Sequence, residues 1–165
     1  MRVGVPKEIK DHEYRVGLMQ AAVREAVARG HAVRVESGAG LAIGYDDESY
    51  RASGAAIVED AEAVFGWAEF VVKVKEPQPV ECRRLREGQV LFTYLHLAGD
   101  PEHARLLIES GCTAISYETV TDASGRRPMQ VAWAIALVDG TGRPRAESRQ
   151  GSGGPGSNLI AISGI

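Results

Sequence analysis

The stretch Glu69-Phe70-Val71-Val72-Lys73-Val74 decides the fold. Phe70, Val71 and Val72 are apolar without alternation, and a strand that is apolar on both sides belongs in a sheet covered on both faces. Such sheets are parallel and carry helices on each side. Working outward, similar short β-rich runs recur at Arg2–Val5, Ala32–Glu36, Gln89–Tyr94 and Thr113–Tyr117. Between them lie amphipathic stretches expected as helices: Met19–Arg29, Glu48–Ala52, Ala61–Phe65 and Pro101–Ser110. The first sets Ala22, Val23, Ala26 and Val27 on one face and stops at Gly30, and the last has Asp100 in capping position. Strand and helix alternate in units of roughly 20 residues, which predicts right-handed β-α-β crossovers and an α/β fold, a parallel sheet flanked by helices.

The 165 residues, 44% apolar and 25% charged, suit one domain with its own core, and two Cys with 19 aperiodic Gly exclude disulfide scaffolds and collagen-like chains. A net charge of −3 offers no field for nucleic acid. The charge is uneven: residues 1–125 hold 14 basic and 20 acidic side chains, whereas 126–165 hold five Arg against Asp139 and Glu147. That second part, rich in Arg, Gly, Ser and Pro, is expected to be a divergent and partly irregular tail, in which only Met129–Val138 has the apolar character of a helix. Cys82 and Cys112 have no metal-ligand spacing and are expected as buried, reduced thiols. The N-terminus has no secretory apolar core, and the longest apolar run, Val131 to Val138, falls far short of the ~20 residues of a membrane span. A cytoplasmic chain without membrane or metal partners is expected.

In an open parallel sheet, ligands bind beyond the carboxyl ends of the strands. The chemically capable side chains that follow the expected strands are Arg15, Lys75, His96 and Glu118. Singly, each has an ordinary structural use as a surface cation, a strand-end charge, a core histidine or a helix-start acid. Together they fall on one predicted rim. Two glycine-rich segments do not compete with that rim. Gly38-Ala39-Gly40-Leu41-Ala42-Ile43-Gly44 follows a strand but runs into a new capping signal, Tyr45-Asp46-Asp47-Glu48, so it opens no helix for a pyrophosphate. Gly151-Ser152-Gly153-Gly154-Pro155-Gly156 follows no strand and reads as linker.

Five stretches carry a family resemblance in the same order. They are Arg2 to Lys10 with Glu13-Tyr14-Arg15-Val16-Gly17, Glu36 to Gly44, Val72-Lys73-Val74-Lys75-Glu76-Pro77, Leu91-Phe92-Thr93-Tyr94-Leu95-His96-Leu97, and Ala114 to Val120. Over about residues 1–125 the chain resembles the N-terminal domain family shared by alanine dehydrogenases and the α-subunit of nicotinamide nucleotide transhydrogenases, and the Phe92–Leu97 run favours the alanine dehydrogenases. The resemblance implies a Rossmann-like or flavodoxin-like substrate domain, incomplete in this chain, and an NAD-linked oxidoreductase converting L-alanine and water to pyruvate and ammonium. By resemblance, Arg15 holds the substrate carboxylate, for which a guanidinium offers a two-pronged fork. Lys75 contacts the carboxylate or keto oxygen, and His96 is the acid/base, suited by the ~6.5 pKa of an ordinary imidazole. Glu118 lies near the site, as a substrate-binding or an orienting acid.

Beyond about Gly125, Pro128-Met129-Gln130-Val131-Ala132-Trp133 only faintly echoes the family. The NAD-binding domain is expected to be missing, with no cofactor-binding residue in this chain, so the chain would be truncated and inactive alone. The complete family protein is expected to be a homo-oligomer. Two other readings stay open: a transhydrogenase α-subunit relative, and a non-catalytic module that binds keto acids or joins subunits.

Overall fold

A computed structural model describes residues 1–120 together with Asp122 and Ser124, and the expectations for the 126–165 tail lie outside them. Eleven elements follow one another: β1 (Arg2–Val5), α1 (Gln20–Ala28), β2 (Ala32–Glu36), α2 (Asp47–Ala52), β3 (Ala56–Val58), α3 (Ala61–Trp67), β4 (Phe70–Val72), α4 (Pro79–Cys82), β5 (Val90–Thr93), α5 (Pro101–Ser110) and β6 (Thr113–Ser116). The strands form one sheet in the order β3-β2-β1-β4-β5-β6, each neighbouring pair parallel. This is the doubly wound Rossmann order, in which the chain builds outward from β1 on one side, then crosses back to build on the other. The crevice created by that reversal lies between the carboxyl ends of β1 and β4.

The apolar run read in the sequence behaves as expected: all three residues of β4 are buried. Phe70 and Val72 join Val3, Val5, Val33 and Val35 in one core with Val23 and Ala26 of α1 and Tyr50 of α2. Val71 points the other way, into a second core with Leu91, Phe65, Cys82 and Leu107. Each buried Val or Leu stabilises by roughly 1.5–3 kcal/mol, so a strand that feeds two cores ties both layers to one backbone. Tyr50 is fully buried, and its hydroxyl donates to the Leu18 carbonyl at 2.9 Å.

The helix starts obey capping chemistry. Asp46, Asp60 and Asp100 accept the amides of Ser49, Ala63 and His103 at 2.8, 2.8 and 3.0 Å. Two elements have no counterpart in the sequence reading. The three residues of β3 lie at the edge and none is fully buried, so they show no period; α4 is a single turn, too short to show one. Strand β4 is also shorter than the Glu69–Val74 expected, although its ladder continues past Val72, with the Lys73 amide donating to the Phe92 carbonyl at 3.0 Å.

Candidate functional site

The loop between β1 and α1 carries Arg15 across the end of β4, and two features hold it there. Glu8 accepts the Val74 amide at 2.6 Å through one carboxylate oxygen. Gly17 lies so close to β4 that a Cβ in its place would stand 2.4 Å from the Val72 carbonyl oxygen, so only glycine lets the loop pass. Arg15 is half-buried and forked onto its neighbour Glu13, with Nε and Nη2 donating to the two carboxylate oxygens at 2.7 and 2.5 Å. Those hydrogen bonds raise the guanidinium above its ordinary value. Burial pushes the Glu13 carboxyl up, but Arg15 outweighs it and holds the acid below its usual range. The fork that the sequence reading reserved for a ligand carboxylate is therefore occupied by a carboxylate of the protein.

Beyond β4, β5 and β6 the other three side chains converge. The Lys75 ammonium sits 4.6 Å above the centre of the Tyr94 ring. That ring lies nearly parallel to the His96 imidazole, centres 5.8 Å apart at 13°, and the Tyr94 hydroxyl is 3.3 Å from His96 Nδ1. His96 is exposed and adopts a left-handed backbone, φ 49°. For a residue other than glycine this costs on the order of 1–3 kcal/mol and persists only where neighbours enforce it. Glu118 is that neighbour: its Oε1 accepts the amides of Leu95 and His96 at 3.2 and 3.3 Å. Burial pushes the Glu118 carboxyl up, yet hydrogen-bond donors around it, those two amides among them, hold it below the ordinary value. Beneath the rim, Thr93 Oγ1 donates to the Lys75 carbonyl at 2.7 Å, and the buried Tyr117 donates its hydroxyl to the Val74 carbonyl at 2.7 Å.

Arg15, Lys75, His96 and Glu118 thus follow β1, β4, β5 and β6, four adjacent strands, and stand at one edge of the sheet. Electrostatic coupling spans the group: Tyr117 feels the Arg15 charge, and Glu13 feels that of Lys75. Tyr94 and Glu13 were missed as site residues, although each adjoins a residue that was singled out. A deeper cluster was missed as well. Lys73 is 1% exposed and donates to Glu8 at 3.0 Å and to Glu81 at 2.8 Å, both carboxylates equally buried. The sequence does hold a sign of it, a lone cation inside an apolar run, because such a residue needs a buried partner.

The glycine turn after β2 does not fit a dinucleotide. The Gly38 amide donates to Asp47 Oδ1 at 2.8 Å and the Ser37 hydroxyl to Asp47 Oδ2 at 2.7 Å, so the donors a phosphate needs are taken by a carboxylate. The adjoining cavity of about 360 Å³ is lined by Ser37, Gly38 and Leu41 with Asp46, Asp47 and Glu48, whose charges repel an anion. Both cysteines are free, Cys82 buried and Cys112 half-buried, and burial pushes the Cys82 thiol up to about 11. Among the described residues no cluster of His, Cys, Asp and Glu could hold a metal ion, and no helix is long and apolar enough to cross a membrane.

Residues 4–136 match the family described as "Alanine dehydrogenase/PNT, N-terminal domain", so the Pro128–Trp133 echo falls inside the match. The chain is 47% identical over 129 residues to an alanine dehydrogenase of Halomonas elongata, covering 78% of this chain and 35% of that protein. It is 52% identical over 122 residues to an alanine dehydrogenase of Bacillus subtilis, covering 74% and 32%. A solved L-alanine dehydrogenase superposes with a TM-score of 0.78 at 44% identity, over 82% of this chain and 37% of that one. A transhydrogenase from Sinorhizobium meliloti superposes with a TM-score of 0.70 at 27% identity, over 75% and 37%. The chain spans about a third of the length of the curated relatives it matches. The sheet order, the motifs along its carboxyl edge and these likenesses agree, and the chain belongs to the alanine dehydrogenase/PNT N-terminal domain family.

Proposed function

We propose that residues 1–125 are the substrate-binding part of an L-alanine dehydrogenase, taking pyruvate or L-alanine at the crevice between β1 and β4. NAD is held by another part of the longer protein, which acts as a homo-oligomer in the cytoplasm. Arg15 binds the carboxylate of the substrate, which takes the place of the Glu13 carboxylate on the guanidinium fork. Lys75 brings a positive charge to the keto oxygen, where negative charge develops, and so stabilises it in the manner of an oxyanion site. His96 exchanges the proton of the reacting centre. Glu118 acts through the backbone, keeping His96 in its left-handed conformation.

The observation that carries this reading is the convergence of two cations and an imidazole behind adjacent strands at the topological switch point. Calorimetric titration of the 165-residue chain with pyruvate tests it. Binding is expected in the millimolar range, weakened at least tenfold in R15A and in K75A. Absence of binding, or equal binding by the R15A/K75A double variant, would overturn the assignment.

A further inference from the structure

We propose that Tyr94 is a positioning residue for this site: its hydroxyl accepts the Nδ1 proton of His96, and its ring face seats the Lys75 ammonium. The inference deepens the proposed function, since it supposes that Lys75 and His96 act on substrate. It rests on three contacts of one side chain. The phenol oxygen is 3.3 Å from Nδ1, the two rings are parallel within 13°, and the ammonium lies 4.6 Å over the same phenol ring. Tyr94 stands between Lys75 and His96 and touches both.

The two ring nitrogens of His96 have different surroundings. Nδ1 meets the Tyr94 hydroxyl, whereas Nε2 has no hydrogen-bond partner among the described residues. Beside Nε2 lies Gly99, at which a Cβ would stand only 3.0 Å from that nitrogen, so the missing side chain keeps Nε2 uncovered. A neutral imidazole carries one proton, and only the nitrogen without it can accept another. For Nε2 to take a proton from a reacting group, Nδ1 must already hold one. A phenol oxygen accepts that Nδ1–H, and it goes on accepting after Nε2 has been protonated, so one hydrogen bond serves both states of the cycle. Without it, imidazole reverts to its usual preference for the Nε2–H form, whose bare nitrogen faces Tyr94 and leaves Nε2 unable to accept a proton.

The ring performs a separate task. A cation over the face of a tyrosine is held by the negative centre of the ring while its N–H groups stay free to donate elsewhere. Pairing Lys75 with a carboxylate would fix it as well but would cancel the charge that a keto oxygen needs. Phenylalanine at 94 keeps the seat and loses the oxygen; leucine loses both. The two tasks can therefore be separated.

The test uses the 165-residue chain labelled with ¹⁵N-histidine, with H96A identifying the His96 signals among the four histidines. Above the imidazole titration, long-range ¹⁵N–¹H correlation is expected to show His96 as Nδ1–H in the wild type and predominantly Nε2–H in Y94F. Pyruvate affinity is expected to stay within twofold in Y94F and to fall at least fivefold in Y94L; Y94Q is read instead if Y94L does not fold. An Nε2–H form in the wild type, or an unchanged tautomer in Y94F, overturns the His96 assignment. Wild-type affinity in Y94L overturns the Lys75 seat. If the tautomer moves as expected while the wild type binds no pyruvate, the proposed function fails and the Tyr94–His96 assignment stands.

Discussion

Lys73 and Lys75 stand two residues apart beyond the same strand, yet they live in opposite environments. Lys73 is 1% exposed between Glu8 and Glu81, with every contact inside the protein. Lys75 is half-buried against an aromatic face and makes no ion pair among the described residues. Burial pulls the Lys73 ammonium down, but its two carboxylates carry it above the ordinary lysine value. The contrast separates two uses of one residue type. A cation locked between acids fixes the β1 loop and α4 to the end of β4, whereas a cation resting on a ring can meet a ligand.

Replacing Lys73 breaks the comparison on its structural side. K73M leaves two buried carboxylates without their cation, and removing one partner of a buried ion pair costs about 3–5 kcal/mol. Urea unfolding of the full chain, followed by circular dichroism, should show that loss. A K73M protein as stable as the wild type would mean that the triad does not hold the fold. The next largest effect is expected from G17A. The added Cβ would lie 2.4 Å from the Val72 carbonyl oxygen, and backbone against backbone cannot yield cheaply. Overpacking of this kind costs about 1–3 kcal/mol, and moving the loop should weaken pyruvate binding too.

K75M is the counterpart of K73M. Its stability should stay within about 0.5 kcal/mol of the wild type, as for a surface substitution, while pyruvate affinity drops about tenfold, equivalent to ~1.4 kcal/mol. Unfolding midpoints and calorimetry on the same preparation decide it. A large stability loss with unchanged affinity would exchange the roles assigned to the two lysines.

Part of this contrast was legible in the sequence, and the reason for the remainder is physical. The β4 run revealed the parallel sheet because burial on both faces leaves a mark in consecutive residues: Phe70, Val71 and Val72 supply two cores. Arg15, Lys75, His96 and Glu118 were legible as candidates because they follow strands, and the fold brings strand ends together. Glu8, Lys73 and Glu81 were not, because their pairing joins positions 65 and 8 residues apart, and that distance is closed only by the tertiary fold. The same holds for Glu118, whose use as an acceptor for the amides of Leu95 and His96 has no sequence signature. β3 escaped for another reason, since three edge residues carry too little pattern to read.

Glu13 sharpens the comparison from the ligand side. Its carboxylate occupies the Arg15 fork, so under the proposed function a substrate carboxylate displaces it. An ion pair of this partly exposed kind contributes roughly 0.2–1 kcal/mol, and E13Q should therefore tighten pyruvate binding by about 1.4- to fivefold. Weaker binding in E13Q would show that Glu13 presents Arg15 to the ligand and does not compete with it.

The smallest effect concerns the charge balance of the buried triad. Two carboxylates share one ammonium there, and burial holds the Glu8 carboxyl above its ordinary value of 4.5, against the pull of Lys73 and the Val74 amide. A folded-state pKa above the unfolded one means that the native protein binds this proton more tightly. The stability contributed by Glu8 is then full below the unfolded pKa and is lost as pH rises through the folded one. E8Q mimics the protonated acid: its carbonyl oxygen can still accept the Val74 amide, and it does not titrate. The stability of the wild type relative to E8Q should accordingly decline as pH rises above the ordinary carboxylate range, on unfolding curves measured at several pH values in one buffer series. A wild type that gains on E8Q as pH rises would reverse the sign. It would show that the Lys73 ammonium stabilises the Glu8 charge by more than burial opposes it, and that the triad holds two full carboxylates at neutral pH.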